Sequence, residues 1–505
     1  MKALNTLDYT AYGLRDGNRL PLTMTLAERP DGHEIRISSK AKQRPEKIVV
    51  TIRDFESISE IFPATPNFND VRRIPGWLQA HQGIRPEHPD QLFGAQWLFT
   101  PAPLVFPMRC GDQWRGIGLG AEPGKNQYIG WTYRPMEGET AFTLEIYYES
   151  QWENQGDWCT LFIPNKSHSR PEPIIEDYCN WLRSKEWAPQ PERKPAAWWR
   201  LPFSQAWGEQ CNWVNQRGES LWKPGHSASL LDSQTNEMNW FGRLDEKGIP
   251  LGIASLGDKW QLSRHRLVPD PARFHDLRGY ADWHHEKGRH LVAWLGMWRP
   301  DEAPAEMCVR SPRGDRLTLD PESPAFRKQL QEDVTRLLSP DGYNLDGFFL
   351  DFTAEMPADA EPRPANGRWG MELLHEYVRL IHEAAKAAKP DAMILSHCCH
   401  PYFADVVDVL RLNDYAFVNP TVVAQMRYRA AIAKATSDWL INTDGWCMYD
   451  INEWRQALQA APEIGIPATW FTHGVFGEGI RTYEPFTEKD YADWKATWTT
   501  YRERL

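Results

Sequence analysis

The stretch Asp346-Gly347-Phe348-Phe349-Leu350-Asp351-Phe352 decides the fold. Its centre, Gly347 to Leu350, is a short apolar run without alternation, the mark of a strand buried on both faces, as in a parallel sheet. Asp351 ends the run. A lone carboxylate inside a buried strand is costly unless it is paired or protonated. At the C-terminal tip of a (β/α)8-barrel strand it would instead face the mouth, where such enzymes do their chemistry. The bland alternative is a strand-end cap or turn residue. A second carboxylate in a similar place, Asp414 after Val409-Leu410-Arg411-Leu412-Asn413, weighs against that alternative.

Working outward, short apolar runs alternate with amphipathic stretches from about residue 198. Strands are predicted at 202–207, 251–256, 291–295, 347–351, 392–396, 408–412, 439–442 and 466–471. Ser323-Pro324 offers an N-cap with Pro at the first helical position, then Phe326, Leu330, Val334 and Leu337 along one face. Further helices are predicted at 371–386, 422–436, 452–461 and 489–503. Strands separated by crossover helices predict a (β/α)8 TIM barrel. Residues 1–190 read differently. Short alternating segments such as His33-Glu34-Ile35-Arg36-Ile37-Ser38 recur between Gly and Pro, the pattern of a β-sandwich. A helix is predicted at 173–184, then a Pro-rich linker at 188–195. The expected organisation is therefore a sandwich domain over 1–190 and a barrel domain over 191–505, since 505 residues exceed one ordinary core. Gly116-Ile117-Gly118-Leu119-Gly120 lies in the β-rich half with no helix directly after it, so it is not a nucleotide fingerprint.

The formal net charge of -11 argues against nucleic acid and anionic membranes as partners. No apolar stretch approaches the roughly 20 residues that span a bilayer. Met1-Lys2-Ala3-Leu4-Asn5-Thr6-Leu7-Asp8 has no signal-peptide apolar region, and the eight cysteines show no framework spacing. A cytoplasmic protein with reduced thiols is expected. The sequence is compatible with a homo-oligomer and does not fix the state. No cofactor or metal is called for. In Ser396-His397-Cys398-Cys399-His400, consecutive candidate ligands on a strand end cannot all point at one ion. His284-His285 reads as a solvated helix face. The unusual number is 25 Trp, many beside polar residues. A flat aromatic face with a hydrogen-bonding neighbour suits a sugar ring, which points to an oligosaccharide or glycoside partner.

Two carboxylates across an aromatic-rich cleft are what glycoside cleavage needs. Asp351 and Asp414 are the candidates, and Arg411 is placed to orient a carboxylate. From about 200 to 475 the chain resembles the α-glycosidase barrels that include α-galactosidases, raffinose-synthase-like proteins and α-glucosidases. Asp346-Gly347-Phe348-Phe349-Leu350-Asp351 is similar to the nucleophile strand of the α-glucosidase branch. Arg411-Leu412-Asn413-Asp414 resembles an Arg-x-x-Asp acid/base segment. Ser255-Leu256-Gly257-Asp258-Lys259-Trp260 resembles a strand-two segment whose Asp holds sugar hydroxyls, which brings in Asp258 and Trp260. Gly288-Arg289-His290-Leu291-Val292-Ala293-Trp294-Leu295 looks like the third strand and brings in Trp294. There are departures: Phe349 stands where the α-galactosidase branch carries Lys, and 396–401 replaces a Cys- and Gly-rich segment.

The resemblance implies a retaining α-glycosidase, with Asp351 as nucleophile and Asp414 as acid/base. Its carboxyl groups would lie about 5–5.5 Å apart, and Asp414 would have the raised pKa of the pair. Trp207, Trp298, Arg299, His397, Asp444 and His473, by position or type, complete the expected sugar-binding set. Asp301, His400 and Trp446 share those positions, and Trp77, His81 and Trp97 are the sandwich residues that would reach the mouth. Two alternatives remain open: a transglycosidase, with a sugar in place of water as acceptor, and a catalytically inactive carbohydrate-binding barrel.

Overall fold

Eight parallel strands close around one axis in the C-terminal part of the chain. The computed structural model describes residues 8–63, 73–84, 99–136, 140–190, 193–217, 228–357, 364–415, 421–446, 448, 450–477 and 482–505. The barrel strands are β1 (Phe203–Gln205), β2 (Ile253–Ser255), β3 (His290–Gly296), β4 (Gly347–Asp351), β5 (Met393–Ser396), β6 (Val409–Arg411), β7 (Leu440–Asn442) and β8 (Ala468–Thr469). They pair in the order β7-β6-β5-β4-β3-β2-β1-β8. A parallel bridge between Asn442 and Ile466 joins the last two and closes the ring. Each predicted strand coincides with one of them. The run that opened the sequence argument is β4, every residue of which is buried. Gly347 starts it because a Cβ there would come within 2.2 Å of the Met393 carbonyl oxygen on β5.

Helices follow most strands as expected. Ser323 accepts the Phe326 N–H at the start of Pro324–Leu338, which packs on Gly370–Ala388. The fifth crossover departs from the pattern, for between β5 and β6 it carries only the single turn Pro401–Phe403. The sandwich helix Glu172–Ser184 lies on this side of the barrel, against Val422–Thr436. Its Tyr178 hydroxyl meets His400 Nε2 at 2.9 Å. His284 corrects the expectation of a solvated pair. It is fully buried, edge-on to Phe241, Tyr280 and Trp283, and burial pulls its pKa well down. His285 does face outward in part, but it is tied to Asp346 at 2.8 Å. Among the described residues no helix is long and apolar enough to cross a membrane, and the seven described cysteines are buried and form no disulfide with one another.

The N-terminal part is a β-sandwich of a six-stranded and a seven-stranded antiparallel sheet. Their inner faces meet through residues such as Phe106 and Trp131, stacked with centroids 4.4 Å apart. The glycine run has a packing explanation. Gly116, Gly118 and Gly120 share one face of the strand Gln113–Gly120. A Cβ on each would strike Ile174 at 2.2 Å, Tyr178 at 2.2 Å and Trp181 or Leu182 below 3 Å. The bare face lets Glu172–Ser184 lie against the sheet and reach the barrel. Arg193 of the linker then donates to the carbonyls of Ala404 and Val407 at 3.0 Å each. Gly118→Ala should therefore lower stability by about 1–3 kcal/mol through overpacking, read as a lower unfolding midpoint. An unchanged midpoint would show that the helix does not depend on this contact.

Candidate active site

The site is built at the C-terminal ends of the strands. Asp351 is the last residue of β4, in register with Gly296 at the end of β3. Its Oδ2 accepts the indole N–H of Trp294 at 3.2 Å, and its Oδ1 accepts the Phe352 N–H at 2.9 Å. Arg411 ends β6, and its guanidinium holds three carboxylates. Nη1 reaches Asp351 Oδ1 at 3.2 Å, Nη2 pairs with Asp414, and Nε pairs with Asp444. The flat cation lies over the rings of Phe349 and Trp470, 4.7 and 5.1 Å from their centroids. Asp414 follows on a turn fixed from behind, since Arg429 takes the carbonyls of Leu412, Asn413 and Asp414 at 3.0, 2.7 and 2.6 Å.

The backbone shows where the chain is under constraint. Lys259, Trp298, Asp301, Phe352, Asn413 and Asp444 have φ between +44° and +76°. All six lie just past β2, β3, β4, β6 or β7. Left-handed non-glycine residues are costly, and such strain gathers at functional sites.

Electrostatics separates the carboxyl groups. If all three were ionised around one guanidinium, the cluster would carry a net negative charge in a buried place, which is expensive. For Asp351, burial acts to raise the pKa. Arg411, His397 and the Phe352 and Trp294 N–H donors overcome it, and Asp351 ends below the usual range. Asp414 goes the other way. Burial, with Asp444 and Asp351 adding to the rise against the pull of Arg411, pushes it up to about 8. Asp444 is also raised by burial, opposed by Arg411. The side chain of Asp414 is the most open of the three, 18% exposed against 11% for Asp351 and 0% for Asp444. It is therefore the carboxyl that meets the mouth. Burial also draws His397 down to about 4, which keeps it a neutral imidazole. Its Nδ1 stands 4.0 Å from Asp351 Oδ1, and its Nε2 is 2.6 Å from the Thr353 hydroxyl.

The other candidates distribute around this centre. Asp258, past β2, takes both of its bonds from Arg264 Nη2, at 2.8 and 3.0 Å. Trp260 is fully buried, donating to the Trp294 carbonyl at 2.8 Å. Trp298 is buried as well and donates to the Thr353 carbonyl at 3.1 Å. Arg299 forks onto Glu355 and lies over Phe352. Trp207 meets Trp446 edge-on at 6.3 Å, and Trp446 stacks on Phe471. His473 is half-exposed, with Nδ1 2.9 Å from the Thr472 hydroxyl and 3.7 Å from Glu209 Oε2. His400 is committed to Tyr178 and to the Tyr402 N–H. Of the sandwich residues, His81 bonds Thr132 within its own sheet at 2.9 Å, Trp77 is 73% exposed, and Trp97 lies outside the described residues.

Several members had no local signal. Thr353 donates to the Thr100 carbonyl at 3.0 Å, which brings a sandwich residue to within one side chain of His397. Glu209 is fully buried and accepts the Thr472 and His473 N–H groups at 2.8 Å, tying the loop after β8 to the helix after β1. Arg264 and Trp470 are further examples. Only an acid or arginine inside a largely apolar stretch would have marked such positions.

No protein-family model matches the chain, and no curated protein matches it. Solved structures do. An α-galactosidase from Thermus thermophilus in complex with stachyose superposes with a TM-score of 0.61 at 14% identity, covering 97% of this chain and 99% of that one. A GH31 family sulfoquinovosidase from E. rectale, with an aza-sugar inhibitor, gives 0.62 at 11% identity over 98% and 78%. A cycloalternan-degrading enzyme from Trueperella pyogenes, with a covalent intermediate, gives 0.58 at 13% identity over 97% and 70%. At these identities the likeness is one of fold, the same sandwich-and-barrel plan over nearly the whole chain.

The cluster makes a direct prediction. Arg411→Met leaves the ionised Asp351 without its cation and takes the guanidinium donors from Asp414 and Asp444, and at neutral pH it should cost about 3–5 kcal/mol. The loss should narrow as pH falls below about 4, because the depressed pKa of Asp351 contributes stability only above its unfolded value. Denaturant unfolding of both proteins across pH 3–8 measures it. A loss independent of pH would contradict the pairing.

Proposed function

We propose that the chain is a retaining glycoside hydrolase acting on α-linked sugars, with Asp351 as nucleophile and Asp414 as acid/base. One observation carries the reading. Two carboxyl groups share the Arg411 guanidinium at the mouth, yet one is held below the usual pKa range and the other is raised to about 8. Oppositely tuned carboxyls are the signature of a nucleophile and a general acid.

In the first step an Asp351 oxygen attacks the anomeric carbon, and the bond to the leaving oxygen breaks as Asp414 delivers its proton there. In the second, Asp414 takes a proton from water as the water oxygen attacks the same carbon, and the ester bond to Asp351 breaks. Two displacements restore the original configuration. Trp294 N–H and Arg411 keep Asp351 ionised and aimed. The comparisons support the linkage class. The Thermus thermophilus enzyme is an α-galactosidase, also solved with p-nitrophenyl α-D-galactopyranoside, and the Trueperella pyogenes enzyme is seen with a covalent intermediate. Replacing water by a sugar hydroxyl in the second step gives a transglycosidase with unchanged residue roles.

A panel of aryl α- and β-glycosides tests the class. Release of aryl alcohol from an α-glycoside by the wild type, abolished in Asp351→Asn with an unchanged circular dichroism spectrum, is expected. Near-wild-type activity in that variant would remove Asp351 from the role. The first sugar released should be the α-anomer by NMR, and a β-anomer would mean inversion.

Asp414 must hold a proton to donate it, so kcat/KM should fall as pH rises through about 8. Asp414→Asn should lose about 10²–10⁴-fold on substrates with poor leaving groups, keep more activity on activated ones, and lack the alkaline limb. A variant with the same alkaline limb would reassign the acid.

A further inference from the structure

Arg264 occupies an unusual place. It sits in the two-residue turn between Gln261–Ser263 and Arg266–Pro269, the hairpin that follows β2. Turn residues on a surface hairpin face water as a rule, yet Arg264 is 7% exposed and folds back onto Asp258 and the Trp294 ring. The hairpin is held firmly enough to aim it. Trp260 donates to the Trp294 carbonyl, the Leu267 N–H to Asp333 at 3.0 Å, and the Arg264 N–H to Asp301 at 2.6 Å.

The guanidinium lies over the Trp294 ring, 5.9 Å from its centroid, and that indole donates to Asp351. Nη2 serves both oxygens of Asp258. Nε is buried and has no hydrogen-bond partner among the described residues. It faces Gly296, the residue in register with Asp351, and a Cβ on Gly296 would come within 3.1 Å of Nε and 2.7 Å of the Trp294 ring. The glycine therefore leaves room for the cation beside the strand that bears Asp351. A buried donor left unpaired is costly, and in a site it is the group a ligand hydroxyl satisfies.

We propose that Arg264 is a glycone-binding, specificity-determining residue: its Nε–H and the adjacent Asp258 carboxylate form a donor–acceptor pair for neighbouring hydroxyls of an uncharged sugar. This rests on the glycosidase reading. An uncharged ring is specified because Asp258, Asp301 and Glu355 outnumber the two neighbouring cations, Arg264 and Arg299, so an anionic substituent would meet an excess of negative charge. The Asp258–Arg264 pair is also a structural strut, and the test must separate the two roles. Arg264→Lys keeps a cation for Asp258 and removes the Nε–H, whereas Arg264→Met removes both.

The substrates are the aryl α-glycoside that the wild type cleaves and its monodeoxy glycone analogues. On the parent sugar both variants should lose at least about tenfold in kcat/KM. For one deoxy analogue, wild type and Arg264→Lys should agree within about twofold, because the hydroxyl and its donor are one interaction. Full rescue by Lys, or the same loss across every deoxy analogue, would leave only the strut and overturn the assignment. Failure of the wild type to cleave any glycoside in the panel would instead overturn the glycosidase reading, and this assignment with it.

Discussion

One guanidinium bonded to three carboxylates is the constraint on which the mouth of this barrel depends. Arg411 is 1% exposed, and its planar fork divides among Asp351, Asp414 and Asp444. Lysine could not do this, because three separate directions in one plane require the guanidinium. The rings of Phe349 and Trp470 receive its flat face. Phe349 thereby gains a reason. A lysine at that position, as in the α-galactosidase branch, would set a second cation against Arg411, whereas the aromatic ring accepts it. The three acids outnumber Arg411 and its neighbour Arg429, and that excess of negative charge favours a retained proton on one acid. Asp414, held to Arg411 but close to the other two acids, is where the pKa rises highest. The protonation pattern needed for acid-assisted displacement follows from the count of charges and their burial.

The scaffold keeps that arrangement rigid from several sides. Arg429 fixes the Asp414 turn through three carbonyls, and Glu209 ties the loop after β8 to the helix after β1. The sandwich takes part too. Pro101 accepts the N–H groups of Cys399 and His400, and Thr100 meets Thr353, the hydroxyl partner of His397. The sandwich is thus a wall of the loops after β4 and β5. Its helix Glu172–Ser184 packs where the fifth crossover has no long helix, and three glycines on the strand beneath make that approach possible.

What could be read in the sequence was what depends on local pattern. The barrel strands announce themselves as apolar runs between amphipathic stretches, and an acid at the end of such a run stands out because burial makes it expensive. Asp351 and Asp414 were visible for that reason, and Arg411 for its place beside one of them. The remainder is long-range. Nothing near Arg264 says that a hairpin tip turns inward, and nothing near His284 says that Phe241 and Trp283 enclose it. Trp260 and Trp298 look like sugar platforms in sequence, yet both spend their indole N–H on backbone carbonyls at buried positions. The glycine triplet had a reason only once the helix that covers it was in place.

The measurement that bears most directly on the paired-carboxyl reading is covalent trapping. A fluorinated α-glycosyl fluoride of the accepted sugar, which forms the glycosyl-enzyme quickly and hydrolyses slowly, is incubated with the protein and followed by peptide mass spectrometry. One sugar per chain, on the peptide containing Asp351 and absent from Asp351→Asn, is the predicted result. A label on another residue, or steady turnover of the parent glycoside with no ester ever trapped, would contradict it.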